Sequence, residues 1–166
     1  PQTLDYKDEL IEKLGLTGVR EIAPSETERK VLDPKNNLWK TDPDACCALR
    51  KVRPLEPALE GFDAWITGRK RFHGGARMSL PVFEFASGRY KVNPLANWTP
   101  DDVELLIKQR NLPRHPLVAQ GYPSIGCWPC TKPSDNPDDP RAGRWAGQAK
   151  SECGLHVEKT ERPRVF

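Results

Sequence analysis

Seventeen prolines and twelve glycines are scattered along this 166-residue chain, and they limit what it can build. Such breakers imply many loops and short regular elements, yet no low-complexity tract and no solenoid repeat occurs. The length suits one ordinary domain with a sizeable core. Charged residues reach 30% against 37% hydrophobic, a globular but polar balance. No apolar run approaches the roughly 20 residues that span a bilayer, and no signal peptide is seen, so a soluble, cytoplasmic protein without a membrane partner is expected. The opening "PQTLDYKDEL" lacks an initiator methionine and reads as mid-protein sequence.

The pattern predicts a first helix capped by Thr3, with Tyr6, Leu10, Ile11 and Leu14 on one face and Gly15 ending it. "VREIAP" (19–24) reads as a short strand, and 25–42 as irregular. Pro43 starts a helix carrying "DACCALRKV", which Pro54 stops. "DAWITG" (63–68) resembles a buried strand, and "RKRFHGGAR" is a loop by composition. "PVFEFASGRYKVNPL" (81–95) reads as a hairpin turning at "ASG". Thr99, Pro100 and Asp102 begin a helix whose apolar side is Val103, Leu105, Leu106 and Ile107. Residues 121–150, rich in proline and glycine, suit a ligand-held loop. Strands alternating with helices imply an α/β fold.

Five cysteines occur: the adjacent Cys46 and Cys47, the Cys-x-x-Cys pair Cys127 and Cys130, and Cys153 near the C-terminus. In a cytosolic chain, metal binding is a better default than disulfides. Four thiolates in two groups suffice for tetrahedral zinc or a four-iron cluster. Adjacent thiolates reach one small ion only with strain, whereas a cubane offers each its own iron; zinc and ordinary buried or redox thiols stay open. Cys153 is either an inconsequential surface thiol or a nucleophile carried by a mobile tail, which would need a cationic neighbourhood.

Three basic clusters supply such neighbourhoods: Arg50, Lys51 and Arg53; Arg69, Lys70, Arg71 and Arg77; and Arg141 and Arg144. Arginine forks suit phosphate and sulfate oxygens, and nearby glycines let backbone approach an anion. A pocket for a multiply charged small anion follows, with solvated surface as the bland alternative. Aromatics are not interleaved with these clusters, which argues against a nucleic-acid partner. Lys51 lies four residues after Cys47, on the same helix face.

"CCALRKVRPL", "WITGRKR", "GCWPCTKP", "RAGRW" and "ECGLH" occur in the order found in assimilatory adenylyl-sulfate (APS) reductases of the PAPS/APS reductase family, and nearly the whole chain resembles that family. The resemblance implies an adenine-nucleotide alpha-hydrolase-like (PP-loop), Rossmann-type α/β domain, N-terminally truncated, with residues 1–145 as the reductase portion and 146–166 as a flexible catalytic tail. It implies a [4Fe-4S] cluster on Cys46, Cys47, Cys127 and Cys130. Cys153 would attack the sulfur of adenosine 5′-phosphosulfate, leaving an S-sulfocysteine that thioredoxin, or a glutaredoxin-like dithiol, reduces to sulfite. This is the chemistry of sulfate assimilation and cysteine biosynthesis. Lys51 matches the family lysine between cluster and sulfate. Arg77, Arg141 and Arg144 match substrate-binding arginines, with Arg69 and His156 grouped beside them. The four cluster cysteines favour APS over its 3′-phosphorylated relative PAPS.

Two departures stand out. The family's Ser-Gly-Gly-x-Asp-Ser phosphate loop is absent, and His73, Gly74 and Gly75 replace the usual residues before the last arginine of their loop. Weak or no APS binding by this polypeptide alone is therefore expected. Assembly as a homo-oligomer is compatible with the resemblance. A zinc-stabilised anion- or nucleic-acid-binding module is the alternative.

Overall fold

A computed structural model describes residues 2–156. The last ten residues of the expected tail, 157–166, lie outside the described residues.

Along the chain run α1 (Gln2–Leu14), α2 (Glu26–Leu32), α3 (Leu38–Thr41) and α4 (Pro43–Cys47). A π-helical turn (Ala48–Val52) leads directly into α5 (Arg53–Ala58). After β1 (Ala64–Ile66) come two 3₁₀ turns, Arg71–His73 and Gly75–Arg77. The hairpin β2 (Phe83–Ala86) and β3 (Arg89–Val92) precedes α6 (Pro100–Gln109). Further 3₁₀ turns occupy Val118–Gln120 and Trp128–Cys130. No described helix is long and apolar enough to cross a membrane.

The described residues form two compact units. One comprises 2–21, 69–80 and 95–151; the other comprises 22–68, 81–94 and 152–156.

In the first unit, α1 begins at Gln2, so Thr3 falls inside its first turn and pairs its hydroxyl with His115 Nε2 at 3.1 Å. Tyr6 donates to the Pro113 carbonyl at 3.0 Å, fixing the helix to that loop. Leu14, expected on the apolar face, is exposed. Gly15 ends the helix at φ +60°, a left-handed conformation in which a β-carbon would be penalised. At the start of α6 the sequence reading holds at atomic detail. Thr99 Oγ1 accepts from Asp102 N while Asp102 Oδ2 accepts from Thr99 N, closing a capping box. Leu105 points to solvent and leaves the apolar side to its neighbours.

The second unit carries a three-stranded sheet in the order β1-β3-β2, with β1 parallel and β2 antiparallel to β3. Ser87 and Gly88 form the two-residue hairpin loop at φ +54° and +74°, the mirror-image turn that matches the strand twist. The register sets Trp65 beside Lys91, and Lys91 beside Glu84, on one face. Ile66, Phe83, Phe85 and Tyr90 are exposed. Here β1 departs from expectation: it is half-exposed rather than buried. Asn93, wholly buried, closes the sheet's end. Its side chain accepts from the Thr67 hydroxyl and donates to the Pro81 carbonyl (2.9 Å) and Glu84 Oε1 (2.6 Å). A buried amide with these partners satisfies the polar groups that a strand end would orphan.

Three further expectations are overturned. Residues 19–24 form no strand. Residues 25–42, read as irregular, hold α2 and α3. Ser25 Oγ accepts from Glu28 N at 3.1 Å as the α2 cap, a Ser-x-x-Glu signal present in the sequence. Pro54 does not stop the helix before it. The preceding turn is wound as π, with Arg53 N–H reaching back to Ala48 O, and the ring enters at the start of α5, where its missing donor is tolerated.

Candidate active site and thiol pairs

In the second unit, Asp42 Oδ1 accepts from Ala45 N at 2.9 Å, and Pro43 opens α4. This start places Cys46 and Cys47 at the helix end, Cys47 buried and Cys46 half-buried. One turn on, Arg50 sends Nη1 toward Cys46 Sγ at 3.6 Å and Nη2 to Asp33 Oδ2 (2.6 Å) and Asn36 Oδ1 (2.7 Å). Asp33 is 4% exposed and also accepts from the backbone N–H groups of Asn37 (2.8 Å) and Leu38 (3.2 Å). Burial pushes its carboxyl up, but the Arg50 guanidinium and the two amides outweigh this and hold it below the usual carboxylate range. Asp33 and Arg50 thus brace Cys46. This brace is not legible in the basic cluster that Arg50 shares with Lys51 and Arg53, although the spacing of four between Cys46 and Arg50 is a usable signal. Lys51 is half-buried in the π turn, the kind of helix irregularity often found at functional sites.

The same unit contains Cys153, half-buried in the segment 152–156. Gly154 takes φ +82° and lies against Val52, where a β-carbon would stand 3.5 Å from Val52 Cγ2. His156 stacks on Trp65, with ring centroids 5.5 Å apart and planes 16° apart.

In the first unit, Cys127 caps and Cys130 ends a 3₁₀ turn closed by Cys130 N to Cys127 O at 3.0 Å. The "RAGRW" stretch buttresses this turn. Trp145 N donates to Cys130 O at 2.9 Å, Lys132 N donates to Gly143 O at 2.8 Å, and Thr131 bridges Arg144. Arg144 Nη1 donates to Ile125 O at 3.1 Å while its guanidinium lies 4.6 Å from the buried Trp145 ring. Arg141 Nη2 donates to Ser151 O at 2.7 Å. Arg69 is buried, and Arg77 pairs with His73 Nδ1 at 3.2 Å. Burial, together with the charge of Arg77, holds the Lys70 ammonium below its usual range. The loop expected here is two short turns hinged at Gly74 and Gly75.

The structure therefore brings Cys46, Cys47, Lys51, Cys153 and His156 into one unit, and Arg69, Arg77, Cys127, Cys130, Arg141 and Arg144 into the other. All five thiols are free of disulfides, so the donor chemistry of the two pairs suits a thiolate-held cluster. Among the described residues, no group of three or more His, Cys, Asp or Glu side chains is gathered so as to hold a metal.

These features coincide with a known family. Residues 1–133 match the phosphoadenosine phosphosulfate reductase domain, and the chain belongs to that family. Its relatives include the adenosine 5′-phosphosulfate reductases of Mesorhizobium japonicum (48% identical over 96% of this chain and 63% of that protein) and of a Chelativorans species (45%, over 96% and 65%). The chain spans a little under two thirds of the length of these relatives. The crystal structure of the phosphoadenylyl-sulfate reductase of Candida auris, a phosphate complex, matches with a TM-score of 0.59 at 32% identity, over 77% of this chain and 64% of that one. The expected α/β family fold is borne out.

Proposed function

We propose that this chain carries out, as the larger part of a reductase, the thioredoxin-dependent reduction of APS to sulfite and AMP. One observation carries the reading: a single compact unit holds Cys153, Lys51 and the Cys46–Cys47 pair. Family membership and the names of the relatives support a reductase of a sulfonucleotide. The unbroken "ECGLH" motif supports sulfonucleotide reduction, and the two cysteine pairs, Cys46–Cys47 and Cys127–Cys130, support APS as substrate.

The Cys153 thiolate attacks the sulfur of APS; a sulfur–sulfur bond forms, the bond from sulfur to the bridging phosphate oxygen breaks, and AMP departs. A thiol of thioredoxin, or of a glutaredoxin-like dithiol, then attacks Cys153 Sγ and expels sulfite. Its second thiol resolves the mixed disulfide, so the dithiol supplies both electrons and Cys153 returns as a thiol. Lys51 balances developing charge on the sulfonate, and Arg69, Arg77, Arg141 and Arg144 hold phosphosulfate oxygens. Cys46, Cys47, Cys127 and Cys130 would hold a [4Fe-4S] cluster, which when bound contributes fixed charge without changing its own redox state. Residues 1–145 form the reductase portion and 146–166 the catalytic tail, in a cytoplasmic setting.

The test is iron and sulfide analysis of protein purified without oxygen, followed by peptide mass spectrometry after incubation with saturating APS. About four irons and four sulfides per chain are expected, and, with saturating APS offsetting the weak binding expected of this chain alone, one added sulfonate on the Cys153 peptide. About one zinc without sulfide, or sulfonation elsewhere, overturns the reading.

A further inference from the structure

The segment that carries Cys153 does not simply trail from the second unit. A cavity of about 230 Å³ opens between α5 and the sheet, lined by Val52, Leu55, Leu59 and Trp65 and by Gly154 and Leu155 of the segment itself. The backbone turns at Gly154, where positive φ suits glycine, directly after Cys153. Two residues later His156 lays its ring on Trp65. The indole is itself steadied: Lys91, its register partner on β3, is buried and stands 5.8 Å from the ring centroid.

From this geometry we infer that Trp65 and His156 form a latch that docks the 152–156 segment on the second unit and so fixes where the Cys153 thiol is presented. Trp65 is a positioning residue: it meets His156, and through the three-residue span His156 restrains Cys153. Stacked rings supply a modest, geometrically specific attraction that can be made and broken repeatedly. That strength suits a segment which must hold its thiol in one place and later release it. The inference rests on the reading of Cys153 as the nucleophile, but its test does not pass through APS.

The test is the alkylation rate of each cysteine in the whole chain by iodoacetamide, read peptide by peptide, in the wild type, Trp65→Ala, Trp65→Phe, His156→Ala and the double alanine variant. A latch predicts that Trp65→Ala and His156→Ala each speed Cys153 alkylation about 3- to 10-fold, the span expected for loss of one ring pair. The double variant then goes no faster than either single, and Trp65→Phe stays near the wild type. Cys46, Cys47, Cys127 and Cys130 keep their rates. An unchanged Cys153 rate in His156→Ala overturns the latch, even where Trp65→Ala loosens the unit and speeds all five. A wild-type chain that never gains sulfonate on Cys153 counts against the nucleophile, not the latch.

Discussion

Arg144 lies against Gly126 so closely that a β-carbon on Gly126 would fall 2.2 Å from Arg144 Nη2. One side chain of the "RAGRW" stretch thus occupies the space that a residue preceding Cys127 leaves empty, and it donates to the Ile125 carbonyl beside it. The neighbouring Gly143 is tighter in kind, because its β-carbon would meet the Lys132 carbonyl oxygen at 2.1 Å. Backbone cannot swing away as a guanidinium can. Gly143→Ala should therefore cost more stability than Gly126→Ala, about 2–4 kcal/mol against about 1 kcal/mol, in denaturant unfolding. Equal costs would mean that the Arg144 packing is as rigid as the backbone contact.

The Asp33–Arg50 pair predicts a pH dependence with a definite sign. A carboxyl held below its ordinary value of 3.8 lends stability that is full above that value and is lost as pH falls through the lower folded value. Asp33→Asn should lower the melting temperature at neutral pH, and its gap from the wild type should close in acid. A gap independent of pH would show that the carboxylate charge contributes nothing beyond its shape.

Cys153→Ser should abolish the sulfonated intermediate and sulfite release while leaving iron and sulfide content at the wild-type level. Sulfite production by the serine variant at a measurable fraction of the wild-type rate would remove Cys153 from the chemistry. Serine keeps the size and withdraws the thiolate, the form that attacks sulfur.

For Lys51→Ala the expected outcome is retained iron with turnover reduced roughly 10²- to 10³-fold, the scale of losing one donor aimed at developing charge. The fall should appear in kcat as well as in kcat/KM. Unchanged kinetics would leave Lys51 as the half-buried flank of the π turn and nothing more.

The parts of the fold legible in the sequence were those set by local chemistry. Thr99, Pro100 and Asp102 specify a helix start among themselves, and Ser87 with Gly88 specifies the hairpin loop. Cap signals are decisive because they too are local, as Ser25 and Glu28 show for α2. Pro54 misled because its effect depends on the turn before it, and a π turn cannot be read from residue spacing. The brace on Cys46 depends on Asp33, seventeen residues from Arg50, and that pairing exists only once α2 and α4 are folded. The thiol pairs stood out by spacing, while their buttresses on Asp33 and Trp145 did not.

The π turn at Ala48–Val52 also acts as a phase setting between two stretches of one helical run. A π turn holds one residue more than an α turn, so losing one residue there would let it rewind as α and leave Cys46 and Cys47 nearly in phase with α5, whereas adding one would swing both around the axis by about 100°. Length in those five positions is therefore constrained in one direction: a conservative substitution or a single deletion leaves the thiols aimed nearly as they are, whereas a single insertion re-aims both at once.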